Sequence, residues 1–381
     1  MAHLEASDVA MAKPSGDVTY ADAASGAREL GHDLATRIST PGGNLIYSPT
    51  SLALAFALLR EGAQGDTAKE IDQVLHLPAN RQSAYNGVLH ELADPGDGDV
   101  LEINDGLFVD PSMSVKQSYL ESIKKWYGAG VEQTEFPDEA LTDINAWVDD
   151  NTDGRIPHLM DHLDQSAKLA LVNTIYMNAK WATPFDAAKT HDGTFTTTEG
   201  ADVTAKMMHR TGAIDYASGQ GWQAVRLPYK GGELSMWVLL PTSHQDPRAL
   251  LAADTLAQAG SGFGDHQVKL SLPRWDTSTT ANLVPVLKDM GMQKPFGGAA
   301  DFGGFTSDGS FAVSNVVQQA NITVGEKGTK AAAATAVIGS TAAPAEPPDL
   351  VEFDADHPFA FALVHDPTGV PLFEGVVADP S

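Results

Sequence analysis

One pair of histidines has a spacing that suits metal chemistry. The run His158-Leu-Met-Asp161-His162 approximates the H-x-x-E-H zinc motif, with aspartate in place of glutamate. Two histidines at this spacing can share a metal ion when both lie on one face of a helix. Pro157 directly precedes the run, however, and the segment has the character of a loop end. A solvated polar turn is the favoured interpretation, and we expect neither a metal nor a cofactor.

Nucleophilic catalysis has still less support in the sequence. The chain contains no cysteine, which excludes disulfides, thiolate catalysis and cysteine-ligated metals. No serine stands in the G-x-S-x-G pattern that frames the nucleophile of many hydrolases. We therefore predict that the protein is not an enzyme.

A third stretch carries little chemistry but has an unusual composition. Residues 325–336 read Gly-Glu-Lys-Gly-Thr-Lys-Ala-Ala-Ala-Ala-Thr-Ala, between a strand-like run at 312–324 and a proline-rich segment at 344–348. Taken alone, such a stretch predicts a short exposed helix or a flexible linker. Its small side chains would also let it move and fit between other strands without steric clashes. That property indicates a conformational mechanism rather than a catalytic one.

The overall composition is that of a globular protein with a large core, since 43% of the 381 residues are hydrophobic and 19% are charged. The formal net charge of −26 argues against a nucleic-acid partner, whose phosphates attract lysine and arginine. No apolar run is long enough to cross a membrane. Residues 1–14 lack the charged start and apolar stretch of a signal peptide, which leaves the extracellular and cytoplasmic compartments both open.

The predicted elements change in type along the chain. Apolar spacing and capping signals predict helices through the first half, among them 51–61 and Arg81–Leu92. Strand-like runs follow from 168–178 onward, interrupted by a predicted helix at 281–290. Helices first and antiparallel strands later indicate an α+β fold built as one unit. Residues 1–18 are expected to form a flexible N-terminal extension.

Seven groups of segments, in consistent order along the chain, carry a family resemblance. They are NLIYSPTS (44–51) with LREGAQGDT (59–67), INAWVDDNT (144–152), LVNTIYMNAKW (171–181) with Phe185, LPY (227–229), SM (235–236) with LP (240–241), EKGTKAAAAT (326–335), and DHPF (356–359) with LFEG (372–375). Together these segments resemble the serpins, the conformational class of serine protease inhibitors. The resemblance extends from about residue 25 to Pro380.

The resemblance implies a single serpin domain over residues 1–381, with three β-sheets, eight to nine helices and an exposed reactive-centre loop at 326–352. In the family, a protease cleaves this loop, which then inserts into the largest sheet with the acylated protease attached. That implies a suicide inhibitor, acting as a monomer on a serine protease with no nucleic acid or membrane involved, and it favours an extracellular location. A non-inhibitory serpin (chaperone, carrier or storage protein) and a serpin cleaved as a simple substrate are the alternatives.

The resemblance places the hinge of the loop on eight residues: Glu326, Gly328, Thr329, Ala331, Ala332, Ala333, Ala334 and Thr335. Alternate residues of a strand face the same way, so 329, 331, 333 and 335 would share the buried face, and all four are small. No proline occurs from 326 to 343, so each residue there can donate to a strand ladder. These features favour an inhibitor over a non-inhibitory relative. Lys330 stands where the family usually has glutamate.

The family spacing from the hinge places the reactive bond between Ala342 and Ala343, with Thr341 and Ala345 as alternatives for the residue before the cut. A small residue at this position suits an elastase-like or subtilisin-like protease. No lysine or arginine, which trypsin-like enzymes require, lies between 337 and 351.

Two further sets of residues are implied by the resemblance to control opening of the large sheet. The shutter set consists of Ser48, Ser51, Asn173 and Gln318, and Trp181 belongs to the breach, where the loop first enters. Gln318 replaces the usual histidine, which predicts a neutral network without a protonation switch at that point. Helix capping by the two serines and ordinary core packing by the tryptophan remain alternatives.

Overall fold

The computed structural model of the protein describes residues 1–14, 16, 20–40, 43–93, 100–152, 154, 156, 158–243, 245–307, 311–329 and 350–381. These residues contain eight α-helices: α1 (Ala21–Arg37), α2 (Pro49–Arg60), α3 (Gly65–Val74), α4 (Arg81–Leu92), α5 (Gln117–Tyr127), α6 (Asp138–Asn151), α7 (Ala253–Gly262) and α8 (Val284–Asp289). They also contain sixteen strands: β1 (Ala2–Leu4), β2 (Leu45–Tyr47), β3 (Val100–Val109), β4 (Val131–Gln133), β5 (Leu169–Lys180), β6 (His191–Thr196), β7 (Asp202–Gly219), β8 (Trp222–Pro228), β9 (Leu234–Pro241), β10 (Gly264–Pro273), β11 (Trp275–Asn282), β12 (Asn315–Gly325), β13 (Gly328–Thr329), β14 (Val351–Asp354), β15 (Phe359–His365) and β16 (Val370–Val377).

Seven strands form one sheet, here called sheet A, in the order β1-β4-β3-β5-β13-β12-β11. β3 and β5 pair antiparallel along the whole length of β3. β5 and β12 pair parallel, with Asn315 opposite Ala170 at one end and Ala320 opposite Ile175 at the other. β5 is buried along almost its entire length, which explains its nearly continuous apolar sequence.

The other nine strands form one hydrogen-bonded network around the long strand β7. β6 pairs with the first part of β7, β10 pairs with Met207–Tyr216 of β7, and β14 continues the network from β10. β8 pairs with the last residues of β7 and leads through β9, β15 and β16 to β2. Two of the three expected sheets are therefore present as two halves of this network, joined because β7 runs through both. The α+β serpin fold predicted from the sequence agrees with this architecture.

The apolar helix α2 lies in the core between sheet A and the second network, in contact with β3, β5 and β16. Pro49 occupies its first turn, where a missing N–H costs nothing. The Ser48 hydroxyl accepts a hydrogen bond from the Ser51 amide at 3.2 Å and caps the helix. α6 covers the opposite face of sheet A, where Ile144 and Val148 pack in one cluster with Val172.

The N-terminal residues form part of sheet A. β1 pairs antiparallel with β4 and extends the edge of the sheet. The Lys124 ammonium lies 2.6 Å from the Glu5 carboxylate, and the Ala12 amide donates to the Lys125 carbonyl at 2.7 Å. This arrangement differs from the flexible extension expected for residues 1–18, because the ladder and these contacts hold the described part of that segment against β4 and α5.

Candidate functional site

The short strand β13 lies between β5 and β12 at one end of sheet A. Thr329 is opposite Val324 of β12 and Ala179 of β5, and β13 runs antiparallel to both neighbours. β5 and β12 pair directly with each other only farther along the sheet. The two strands therefore separate at this end, and the first residues of the predicted loop fill the gap.

Aromatic and hydroxyl groups hold the end of β13 in place. Thr329 is buried, and its hydroxyl lies 2.7 Å from the Tyr229 hydroxyl in a hydrogen bond. The Tyr229 ring stacks on Trp181 with 4.4 Å between ring centroids. The Trp181 indole N–H donates to the Gly325 carbonyl at 2.8 Å. Trp181, the predicted breach residue, thus contacts the segment next to the predicted hinge as well as the core.

The backbone at Gly328 requires glycine. Its φ is +141°, in a region that other residues rarely adopt. A Cβ atom built at this position would lie 2.1 Å from the Ala179 carbonyl oxygen, well inside van der Waals contact. The close approach of the hinge to β5 therefore depends on the absence of a side chain at residue 328.

Glu326 is fixed beside this turn by an arginine and a threonine. The Arg274 Nε donates to Glu326 Oε1 at 2.8 Å, and the Thr190 hydroxyl donates to the same oxygen at 2.7 Å. Burial acts to raise the pKa of Glu326, but the hydrogen bonds from Arg274 and Thr190 outweigh it and lower the pKa. Glu326 is therefore a charged anchor at the end of β12, next to the start of the loop.

The four predicted shutter residues form one buried hydrogen-bonded network. The Gln318 amide nitrogen donates to the Asn173 Oδ1 at 2.7 Å and to the Ser48 carbonyl at 2.9 Å. Gln318 Oε1 accepts from the Ser48 amide at 2.9 Å. Asn173 Nδ2 donates in turn to the Ser51 hydroxyl. Because Asn173 lies on β5 and Gln318 on β12, this network holds the two strands together across the line where the sheet would open.

The sequence of nearly the whole chain decides its family. A family model described as "Serpin (serine protease inhibitor)" matches residues 25–380. The chain is a serpin. An uncharacterized serpin-like protein of Thermococcus kodakarensis is 34% identical over 91% of this chain and 83% of its own length. The leukocyte elastase inhibitor of Bos taurus is 32% identical over 89% of this chain and 94% of its own length.

Two solved structures resemble this serpin over nearly their full lengths. The thermophilic serpin tengpin in its native state has a TM-score of 0.89, with 22% sequence identity, and each chain covers 100% of the other. Human thyroxine-binding globulin, in a complex with thyroxine, has a TM-score of 0.85 and 26% identity over 95% of this chain and 100% of its own. The first likeness concerns the fold alone.

One further residue, which the sequence analysis did not single out, joins the network of the predicted shutter residues. Asp105 of β3 lies directly opposite Asn173 of β5, and its Oδ1 accepts a hydrogen bond from Asn173 Nδ2 at 2.5 Å. Burial raises the pKa of Asp105 to about 7, although the hydrogen bond from Asn173 acts in the opposite direction. The expectation concerned residue 318 alone, and Asp105 adds a titratable group that contacts the network through Asn173. The signal in the sequence was an aspartate inside a strand that is otherwise rich in apolar residues.

Much of the predicted loop lies outside the described residues. This applies to the predicted reactive bond and to five of the hinge positions: Thr341, Ala342, Ala343, Ala345, Ala331, Ala332, Ala333, Ala334 and Thr335. At the far end of the predicted loop, residues 351 and 352 belong to β14, which pairs parallel with β10. The loop is therefore anchored in sheet A on one side and in the second network on the other.

The histidine pair examined in the sequence does not build a metal site. Residues 158–162 are not helical, so the two rings do not share a helix face. His158 instead forms an exposed pair with Asp161 at 2.7 Å. Within the described ranges, no group of three or more potential ligands comes together. No helix in the same ranges is long and apolar enough to span a membrane.

Proposed function

We propose that this serpin inhibits a serine protease as a suicide substrate, by inserting its cleaved loop into sheet A while the acylated enzyme is still attached. The observation that carries the proposal is the position of β13. Two residues at the start of the loop already form a strand between β5 and β12, in the direction that a fully inserted loop would follow.

Continued insertion replaces the ladder between β5 and β12 with two ladders, one on each side of the inserted strand. It separates β5 from β12 between Ala170 and Ile175 and breaks the bond between Gln318 and Asn173. Each inserted residue then pairs with β5 on one side and β12 on the other, both antiparallel, which is the slightly stronger arrangement. At about 1 kcal/mol net for each hydrogen bond, some fifteen inserted residues would contribute on the order of 15 kcal/mol. That is comparable to the whole stability of an ordinary domain.

The residue sequence after β13 fits the space that insertion would provide. Thr329 faces the core through Tyr229, so strand alternation would place 331, 333 and 335 on the same buried face. These positions hold Ala, Ala and Thr, which bury no charge and little volume. A charged side chain at any of them would be buried without a partner, at a cost of several kcal/mol.

The proposed targets are elastase-like or subtilisin-like proteases. Such a protease would cleave the loop between Ala342 and Ala343 and would then remain trapped as the acyl-enzyme. Small side chains occupy both positions and their neighbours Thr341 and Ala345. The name of one relative, the leukocyte elastase inhibitor of Bos taurus, is consistent with a protease of this class. Such an inhibitor would act as a monomer that is consumed one for one, without catalytic turnover of its own.

The test mixes the protein with pancreatic elastase, subtilisin, chymotrypsin and trypsin and follows the products by denaturing gels and intact mass. We expect an adduct that survives denaturation with elastase or subtilisin, together with a released peptide that begins at Ala343. The Thr329→Arg variant should be cut without forming the adduct, because residue 329 is buried in β13 and an arginine there would be a buried charge without a partner. Lys330→Arg is the matched control, since it places the same side chain on the opposite face.

A carrier or other non-inhibitory role is the second candidate. It is favoured by the likeness to thyroxine-binding globulin, which is a serpin in complex with a small ligand. Cleavage of the wild-type protein by all four enzymes without any adduct would contradict inhibition and support this role or that of a simple substrate. Normal trapping by Thr329→Arg would contradict the insertion mechanism itself.

A further inference from the structure

A half-open cavity of about 240 Å³ lies beside β3, next to the centre of sheet A. Its walls are mainly apolar and come from five elements, with Leu54 and Leu58 on α2, Leu89 on α4, Ile103 on β3, Tyr127 on α5 and Trp147 on α6. Asp105 is the one carboxylate among the described lining residues. Asn104 and Tyr127 are the other polar lining residues, and the Asn104 side-chain amide donates to the Asn151 carbonyl. An apolar cavity with a few convergent polar groups is the usual form of a small-molecule site.

The carboxylate of Asp105 is only half used by the protein. Its Oδ1 accepts the hydrogen bond from Asn173, whereas Oδ2 has no hydrogen-bond partner in the described part of the chain. Asp105 remains partly exposed, and it belongs to the lining of the cavity. A carboxylate can accept several hydrogen bonds, so one side of this group is available to a ligand.

The surroundings of Asp105 supply no compensating charge. No lysine, arginine or histidine lines the cavity among the described residues. Tyr127 is the other titratable lining group, and its hydroxyl donates to Glu61 at 3.4 Å. A cation that enters the cavity could therefore pair with the Asp105 carboxylate without displacing a positively charged side chain of the protein.

We propose that this cavity binds a small amphipathic amine, with its ammonium group paired to Asp105 Oδ2 and its apolar ring against the leucine, isoleucine and tryptophan walls. The volume limits the ligand to about one ring, because it lies below the ~300–1,000 Å³ typical of sites for drug-sized molecules. An anion would be repelled by the carboxylate and by the net charge of −26. A purely apolar ligand would leave Oδ2 unpaired.

Binding at this site would affect the hydrogen-bonded network of the predicted shutter residues through Asn173. Asn173 donates both to Asp105 and to Ser51, and it accepts from Gln318. An ammonium ion paired with Asp105 favours its ionised form, which is the better acceptor for Asn173. The amine would therefore stabilise the closed form of sheet A, whether or not the protein inhibits a protease.

The test is calorimetric titration of the intact protein with 2-phenylethylamine, in enough salt to screen the acidic surface. We expect saturable one-site binding of the amine and no binding of 2-phenylethanol, its neutral counterpart. Asp105→Asn should raise the Kd of the amine at least roughly tenfold, because it removes a hydrogen bond between charged groups. Glu102→Gln removes the same charge from the same strand outside the cavity, and it should leave binding unchanged.

A measurement on the wild-type protein alone gives a second test. With the pKa of Asp105 at about 7, its ionised fraction falls about tenfold between about pH 8 and about pH 6, while an aliphatic ammonium stays protonated. The affinity for the amine should fall by the same factor. Equal binding of the alcohol, undiminished binding to Asp105→Asn, binding that does not change with pH, or no binding at pH 8 would each overturn the proposal.

Discussion

Burial favours the neutral form of Glu374 in the folded protein. The Tyr47 hydroxyl lies 2.8 Å from the Gly31 carbonyl oxygen and 2.7 Å from Glu374 Oε2, and all three groups are buried. The Tyr47 hydroxyl has one hydrogen, which these two acceptor oxygens share. Burial raises the pKa of Glu374 to about 8, although Tyr47 and the nearby Arg28 act to lower it.

This neutral carboxyl group predicts a pH dependence of stability. The folded state keeps a proton that the unfolded state loses above the ordinary pKa of 4.5. The contribution is therefore present below that value and is lost as pH rises through about 8. Glu374→Gln should remove this loss. Between about pH 5 and pH 8, the free energy of unfolding of the variant should therefore rise by on the order of a few kcal/mol relative to that of wild type.

Urea midpoints of both proteins across that range measure the effect. Glu199→Gln, at an exposed turn, is the control and should follow wild type. A constant difference between Glu374→Gln and wild type at every pH would show that Glu374 is ionised in the folded state.

At the scale of residues, the sequence predicts well those side chains whose partners are set by family position. The shutter set comes together as predicted, and Trp181 contacts the segment next to the predicted hinge. Asp105 and Tyr229 were missed as members of the site, because their roles depend on the register between β3 and β5 and on the stacking at the breach. Neither register nor stacking leaves a pattern in a single sequence.

At the scale of elements, the helix predicted at Arg81–Leu92 matches α4 at both ends, and the helix predicted at 51–61 overlaps α2 (Pro49–Arg60). The predicted helix at 281–290 is the main difference. Ala281 and Asn282 end strand β11, and α8 begins only at Val284. Burial alternates along most of β11, which favours a strand, but its buried residues are mainly threonines and do not produce an apolar signal.

The hinge strand makes a prediction that depends on backbone geometry. Gly328→Ala should prevent β13 from forming, because the new methyl group would overlap the Ala179 carbonyl. The hinge would then lie outside the sheet, and trypsin should cut after Lys327 several times faster. Gly325→Ala is the matched control, because nothing lies within 4 Å of a Cβ atom built there. Equal cleavage rates in both variants would contradict the requirement for glycine at residue 328.

The edge strand β1 makes a second prediction at this scale. Removal of residues 1–14 leaves the β4 edge unpaired and frees Lys124 from Glu5. We expect faster hydrogen exchange at the amides of β4 and a melting temperature lower by a few degrees. Unchanged exchange at Val131–Gln133 would show that β1 contributes nothing to this edge. The amides of β16, far from β1 in the strand order, serve as the internal reference.

At the scale of the whole molecule, the proposed mechanism requires that the intact protein be less stable than its cleaved form. Insertion adds a strand that pairs with a neighbour on each side. The intact fold therefore persists because of the activation barrier to insertion, not because it has the lowest free energy. After cleavage by elastase, the melting temperature should rise by an amount on the order of tens of degrees. Calorimetry before and after cleavage measures this rise. Cleaved Thr329→Arg should show little of it, and an unchanged wild type would contradict insertion.

The placement of Thr329 also bears on the timing of inhibition. The slow event in forming a new strand is nucleation, in which a free segment finds its register with its neighbours. The segment loses conformational entropy at this point, before any hydrogen bond of the ladder offsets the loss. Thr329 is already in register with Val324 and Ala179, so nucleation has taken place before a protease arrives. Under the proposed mechanism, only elongation of an existing strand must then be faster than hydrolysis of the acyl bond. The resting structure of this serpin would thereby shorten the time that the proposed inhibition needs.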